Sequence, residues 1–395
     1  MPPVTQARDV HVTRTHHNLH EAVISHCYKQ HSTLVGGVAL TLDHRTRALF
    51  ICGSMNQTTQ MHQIAEELSA DADCWFSTFY GNRLEETLKR LRLTETSVMG
   101  HRLSARALAY LERNRLRTDQ GGLRGPYDLV VTCSDLVIPH NIRMSPVVLV
   151  QEGMIDPEGF WFRMWRLWPK IPRWLAGTSP NGLSLQYDLF CVASHGYRRR
   201  FISKGVPAER IAVTGIPNFD NCQRFLCNTF PHRGYVLVCT SDCRETFMPE
   251  NRPAFIRKAV TIAAGRPLIF KLHPNERVDR ATREIRKHAP GALVCTVGSA
   301  EEMIANCDVL VTRYSSTAFV GLALGKEVHS DFDVETLRSL TPIQTGTAAR
   351  AIADQCRRLL AERREQALST KPIAARRRQT NAPPAAPQQP SGVAR

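Results

Sequence analysis

Short apolar runs, each closed by a turn of small polar residues and followed by residues of helical period, recur along this chain. The clearest are Ala48 to Cys52, Pro146 to Val150, Tyr235 to Thr240 and Val309 to Val311. Runs that are apolar at every position, rather than at alternate ones, suit strands buried on both faces of a sheet. Helices between them make the strands parallel, because parallel neighbours need a crossover connection. An α/β, doubly wound architecture follows, and such sheets take ligands beyond the C-terminal ends of their strands. The residues just after each run are therefore where chemistry is to be sought.

At 395 residues the chain is too long for one small core, so two domains are expected. We place a polar extension at 1–33, a first Rossmann-like domain at 34–230 and a second at 231–368. The segment 369–395 is rich in Pro, Ala, Gln and Arg without apolar periodicity, which reads as disorder. The formal net charge of +15 suits an acidic substrate, a nucleotide or an anionic surface. Part of that charge sits in the tail, at Arg376, Arg377 and Arg378. The 12 cysteines include no C-x-x-C pair, and several lie in apolar runs as buried thiols do, which fits a reducing compartment. Six histidines between His11 and His31 show no metal-ligand spacing. No apolar stretch is long enough to span a bilayer, and no secretory leader is evident.

Candidate residues follow the strands in order. Gly53 ends the first, His62 lies on the helix after it, and Asp135 follows Leu129 to Thr132. Glu152 and Gly153 stand directly after Val150. Gly215 ends Ile211 to Thr214, Lys271 and His273 end Pro267 to Leu272 with Glu276 beyond, and Glu302 lies in the short helix Glu301 to Cys307. The stretch from Asp308 runs through Arg313, Ser315, Ser316 and Thr317 into an apolar helix closed by Gly325. A strand passing through a hydroxyl-rich turn into a helix aims backbone N–H groups at one spot, as phosphate sites do. An ordinary Ser/Thr N-cap is the competing reading.

Residues 160 to 174 stand apart in composition. Four of the five tryptophans, Trp161, Trp165, Trp168 and Trp174, lie there among Arg163, Arg166, Lys170 and Arg173. Trp161, Trp165 and Trp168 share an i, i+4, i+7 face. That face is either core packing or an interfacial surface for an anionic membrane.

Together, the Gly-Val turn at Gly205, the run Ile211-Ala-Val-Thr-Gly-Ile-Pro-Asn-Phe-Asp220, the loop Lys271-Leu-His-Pro274 and the Ser315-Ser-Thr317 loop closed by Leu324-Gly-Lys326 resemble the GT-B superfamily. The second half is similar to the CDP-glycerol glycerophosphotransferase and capsule polysaccharide transferase group. More distantly, the run from Lys204 to Asp220 resembles the UDP-N-acetylglucosamine 2-epimerases. The resemblance covers 189 to 330 well and 47 to 155 loosely.

It implies a transferase moving a sugar or polyol phosphate from a CDP-, UDP- or CMP-linked donor to a polysaccharide or lipid-linked acceptor of the cell envelope. On this reading Lys271, Arg313, Ser315, Ser316 and Thr317 hold donor phosphates, with His273 catalytic beside them, and Gly215, Glu276 and Glu302 hold the nucleotide. Glu152 matches a cleft glutamate of the epimerases and is the candidate general base. Asp135 and His62 are its alternatives, and Gly53 lies on the acceptor side. No cofactor and no metal are implied, and a cytoplasmic protein, peripheral on the inner face of the membrane, is expected.

Two other functions compete. An epimerase would carry His-Arg-Glu-Asn after the first strand of its second domain, where this chain has Thr240-Ser241-Asp242-Cys243-Arg244-Glu245 without a histidine, and Ser-Gly-Gly where it has Ser315-Ser316-Thr317. A nucleic-acid binder would need a continuous basic stripe with aromatics, so no specific nucleic acid is expected.

Overall fold

The computed structural model describes residues 45–90, 100–245 and 250–369. The expectations for the N-terminal histidines and for the tail fall outside these residues. Two all-parallel sheets form. The first contains β1 (Thr46–Cys52), β2 (Ala72–Thr78), β3 (Leu129–Thr132), β4 (Val147–Val150), β5 (Leu189–Val192) and β6 (Ile211–Val213), in the order β2-β1-β3-β4-β5-β6. The second contains β7 (Val236–Cys239), β8 (Leu268–Lys271), β9 (Leu293–Cys295), β10 (Val309–Val311) and β11 (Glu327–His329), in the order β11-β10-β7-β8-β9. The strand order therefore reverses between β1 and β3 and again between β7 and β10, and a doubly wound sheet opens a ligand crevice at such a reversal.

The apolar runs do as their composition dictates, feeding cores on both faces. Leu49 and Ile51 enter one cluster, Ala48, Phe50 and Cys52 another, all nearly free of solvent. In the second sheet Leu237 and Cys239 point one way, Val236 and Val238 the other. Each fully buried Val, Leu or Phe contributes roughly 1.5–3 kcal/mol, so most of the fold's stability lies in these layers. The cluster holding Leu49 and Leu237 runs through both sheets.

Two strands have no counterpart among the apolar runs of the sequence, and one helix packs elsewhere than expected. β2 carries Asp73, Ser77 and Thr78 among its apolar residues; it is an edge strand, partly exposed along its first half, and so lacks the continuous apolar signal. β11 is three residues long, too short to stand out beside its neighbour. The helix Ala348–Ser369, expected within the second domain, instead sends Ile352, Ala353 and Cys356 into the first sheet's core beside Met61 and Ile64.

Asp220 anchors that crossing. Its carboxylate accepts from the backbone N–H groups of Gly346 and Ala348, both at 2.8 Å, at the start of the helix. Gly215 lies beneath the same crossing with φ +80°, where any side chain would be strained. A Cβ there would meet Ile343 and Ala348 at 3.2 Å. The Gly-x-Pro-x-x-Asp run thus ties the returning chain to the first sheet, and Gly215 faces packed side chains.

Candidate functional site

The turn after β4 is the centre of the arrangement. Glu152 lies across the end of β3, so its carboxylate meets residues following β1. Ser54 Oγ donates to Oε1 at 2.6 Å and Gln57 Nε2 donates to Oε2 at 2.5 Å. Ser54 also caps the helix Met55–Leu68 by accepting from Gln57 N at 3.1 Å. The carboxylate is therefore positioned by a helix start, whose dipole favours negative charge. Gly53 leaves the space that the Gln57 side chain fills, since a Cβ there would overlap Gln57 Oε1. That oxygen is buried and has no hydrogen-bond partner. Cys133 is also near, but burial, with the Glu152 charge adding, pushes its thiol well above its ordinary value.

From the other sheet, the loop between β10 and the helix Thr317–Ala323 reaches this same turn. Met154 N donates to Ser316 Oγ at 2.8 Å. Ser316 is the residue before the helix, yet its side chain makes no cap bond; the hydroxyl is turned across to the other sheet. Ser315 and Thr317 bond each other, Thr317 Oγ1 donating at 2.9 Å. Gly153 permits the approach, because a Cβ would stand 2.5 Å from Ser316 Oγ and 3.5 Å from the Phe219 ring. Gly153→Ala is expected to cost about 1–3 kcal/mol through overpacking. Urea unfolding should show that cost, and it should shrink in a Ser316→Ala background, where the struck atom is gone.

Lys271 and His273 end β8, which does not adjoin β10, since β7 lies between the two strands. Lys271 is buried, and its Nζ turns back to donate to Leu272 O at 3.1 Å. The His273 ring is partly exposed, with Nδ1 accepting from Asn275 N at 3.3 Å and lying 3.6 Å from Asp242.

Beneath this loop is an ion network that sequence reasoning missed. Arg252 Nη2 donates to Glu276 Oε1 at 2.6 Å, to Glu250 Oε2 at 3.0 Å and to Ser241 O at 2.8 Å. Arg252 is 1% exposed. Glu276 Oε2 accepts from His273 N at 2.9 Å and from the Thr240 hydroxyl. Arg313 Nε donates to Asp331 at 2.7 Å, and its Nη1 lies 3.8 Å from Glu250. Arg244 donates to Glu284 at 2.8 Å. Burial opposes ionisation of Glu284, but the Arg244 bond and charge, with Arg252 and Arg280, hold its carboxyl below the usual value. Arg252 Nη1, Arg244 Nη2 and Arg313 Nη1 are buried without a hydrogen-bond partner. Arg252 opens a helix and belongs to no motif, so only its burial marks it.

Four of the sequence candidates are engaged elsewhere. Glu276 is a buried member of that network and fixes the His273 backbone, which leaves it no free face for a nucleotide. Gly215 is covered by the crossing segment. Asp135 is buried and holds the segment that precedes β5, accepting from Gly182 N at 2.8 Å and Ser184 N at 2.9 Å and pairing with Arg173 at 3.2 Å. His62 bonds Tyr110 OH at 3.0 Å and packs edge-on against Phe76. Its surroundings include Arg45 and Ala72, at the N-terminal ends of β1 and β2. Neither Asp135 nor His62 is presented to the turn at Glu152. Glu302 is half-buried in the first turn of the helix Ala300–Asn306.

Asp-x-Asp spacing occurs at Asp71-Ala72-Asp73 and Asp331-Phe332-Asp333, and both pairs have other partners. Asp71 pairs with Arg357 and Asp73 with Arg45 and Arg117. Asp331 pairs with Arg313, and Asp333 caps the helix Val334–Leu340. Among the described residues no cluster has the makeup of a metal site, the cysteines form no disulfide, and no helix is long and apolar enough to cross a membrane.

No family model and no curated protein matches the sequence. Solved structures do. One is the UDP-GlcNAc 2-epimerase from Neisseria meningitidis bound to UDP-GlcNAc, 12% identical, with 78% of this chain and 99% of that one covered at a TM-score of 0.50. A second is the S. aureus MnaA–UDP co-structure, 10% identical, covering 80% and 97% at a TM-score of 0.51. The wall teichoic acid polymerase TagF matches at 11% identity over 81% and 90%, with a TM-score of 0.46. The fold of this chain is GT-B, with interleaved parallel α/β sheets.

Proposed function

We propose that this protein is a transferase that moves a sugar or a polyol phosphate from a nucleotide-activated donor to a polysaccharide or lipid-linked acceptor of the cell envelope. One observation carries the reading. The Glu152 turn from the first sheet and the Ser315–Thr317 loop from the second meet at the Met154–Ser316 bond. The carboxylate held by Ser54 and Gln57 is thus two residues from the contact with the hydroxyl-rich loop that follows β10.

The chemistry needs both halves. A departing nucleotide develops charge on its phosphates, and donors already in place for that charge are usually the largest catalytic term. Ser315, Ser316, Thr317 and His273, with the unused N–H of Arg313, are the groups at the ends of β8 and β10 that would supply them. An acceptor hydroxyl must lose its proton as it attacks, and Glu152 is the base within the turn. Glu302, at its helix start, is the candidate for the ribose. Lys271 acts through its buried charge, since its amine is bonded to the backbone. The protein works in the cytoplasm, at the inner face of the membrane where such acceptors are held.

Relatives of known fold are bound to UDP-GlcNAc and to UDP in their solved structures, which supports a nucleotide at this site. Epimerisation is disfavoured by Asp242-Cys243-Arg244-Glu245. Arg244 and Glu245 are spent on Glu284 and Arg280, and no histidine stands there.

Thermal-shift titration with CDP, UDP and CMP tests the donor site. A nucleotide at about 100 times its Kd should stabilise the fold by roughly 2.7 kcal/mol. His273→Ala should lose most of that shift while melting, without ligand, near the parent temperature. No shift with any nucleotide would sink the reading, and turnover of UDP-GlcNAc to its epimer without acceptor would replace it.

A further inference from the structure

We propose that the solvent face of the helix Phe160–Leu167, with the Trp168 that follows it, is a docking surface for an anionic lipid membrane. The helix has a built inner side. Phe162 is buried and packs against Trp165, ring centroids 5.7 Å apart. Lys204 Nζ lies 5.1 Å over the Phe162 ring, and the Arg173 guanidinium 5.6 Å over Trp165. Both cations are tied to the body of the protein, Lys204 through Ser179 O at 3.2 Å and Arg173 through Asp135 and Pro180. Trp165, grouped by its spacing with Trp161 and Trp168, belongs to this inner side.

The opposite side is apolar and open. Phe160 is 67% exposed, Trp161 51%, Leu167 73% and Trp168 63%. At 3.6 residues per turn, Phe160, Met164 and Leu167 form one line with Trp161 and Trp168 alongside, an arc of roughly 120°. A soluble protein has no folding reason to present two tryptophans, a phenylalanine and a leucine side by side to water.

Charge identifies the occupant. Arg163, Arg166 and Lys170 are exposed and flank the stripe. No acidic residue occurs between Glu158 and Asp188. Glu158 pairs with Lys204 at 3.0 Å, and Asp156 accepts from Thr178 N and Oγ1, both at 2.8 Å. The surface therefore presents aromatic and aliphatic side chains with cations along one edge, and the nearest carboxylate, Glu158, is paired with Lys204. Aromatic rings settle at the headgroup level and the cations meet anionic headgroups. Pro169 and Pro172 stop the helix at two turns, which gives a segment lying in the interface.

The surface is rigidly joined to the site. Phe160 follows Glu152 by eight positions. The turn between is held by Met154 to Ser316 and by Ile155 N to Tyr197 OH at 3.3 Å. A lipid-linked acceptor would thus be met at the bilayer; this use rests on the proposed transfer, whereas lipid binding itself does not.

Co-sedimentation of the full chain with phosphatidylcholine vesicles, with and without phosphatidylglycerol, tests the proposal. The protein should pellet with the anionic vesicles, less at high salt, with a blue shift of tryptophan emission. The Trp161→Ser, Trp168→Ser variant keeps every charge, so its binding should fall by roughly tenfold or more while its melting temperature holds. Binding equal to the parent would show that the basic tail alone is responsible and would overturn the proposal. So would a variant that no longer folds, a parent that ignores anionic vesicles, or a parent dimer that the variant dissolves. If no nucleotide stabilises either protein but the vesicle results hold, the transfer reading falls and the membrane surface stands.

Discussion

Glu152→Gln is expected to lower kcat by ~10²–10⁴-fold, the range lost when a positioned general base is removed. The substitution keeps the side chain's size and its contact with Ser54 Oγ. It replaces the oxygen that accepts from Gln57 Nε2 by an amide, or forces Gln57 to turn, a local adjustment away from the second sheet. Nucleotide affinity should therefore change little, because the groups proposed to face the phosphates lie at and after the ends of β8 and β10. Steady-state kinetics with the donor found by thermal shift, together with its Kd, would check this. Near-parent kcat in a folded Glu152→Gln protein would place the base elsewhere. Asp135 and His62 are poor replacements, since one is fully bonded to a loop and the other to Tyr110.

Glu276→Ala should produce the largest loss of stability, about 3–5 kcal/mol, because removing one carboxylate of a buried ion network leaves Arg252, Arg244 and Arg313 to share Glu250. Arg252 would keep only Glu250 and Ser241 O, and the His273 N–H and the Thr240 hydroxyl would lose their common acceptor. Against a total stability of about 5–15 kcal/mol the effect is large. Urea unfolding with and without nucleotide separates two roles for this residue. A structural glutamate lowers the midpoint in both conditions. A ribose ligand would leave the apo midpoint in place and reduce only the gain from nucleotide. A parent-like apo midpoint would return Glu276 to the nucleotide site.

The two substitutions mark where local sequence stops being informative. Glu152 was legible because it directly follows a buried apolar strand in a chain of parallel strands, where ligands are met. Glu276 follows β8 with similar credentials and a His-Pro nearby, yet it is 6% exposed and ion-paired. Its partner Arg252 is 24 residues away in sequence, at a helix start with no motif. A pairing of that kind depends on how two helices and a loop pack, which no spacing encodes.

What the sequence determined by itself was the two sheets. Runs such as Val147–Val150 and Val236–Cys239, apolar at every position, have stable positions only inside a doubly covered parallel sheet, and the polar turns after them locate the ends where chemistry gathers. The tertiary structure alone decided which of those turns meet. It set β7 between the His273 and Ser316 loops, turned the Ser316 hydroxyl to Met154 rather than to its own helix, and spent Asp135 and Gly215 on packing. It also split one aromatic segment in two, Phe162 and Trp165 inward, Phe160, Trp161, Leu167 and Trp168 to solvent. The physical reason is the same throughout. Strand burial is a property of a few adjacent residues, whereas a side chain's partner is fixed by groups far along the chain that only the folded packing brings within hydrogen-bond reach.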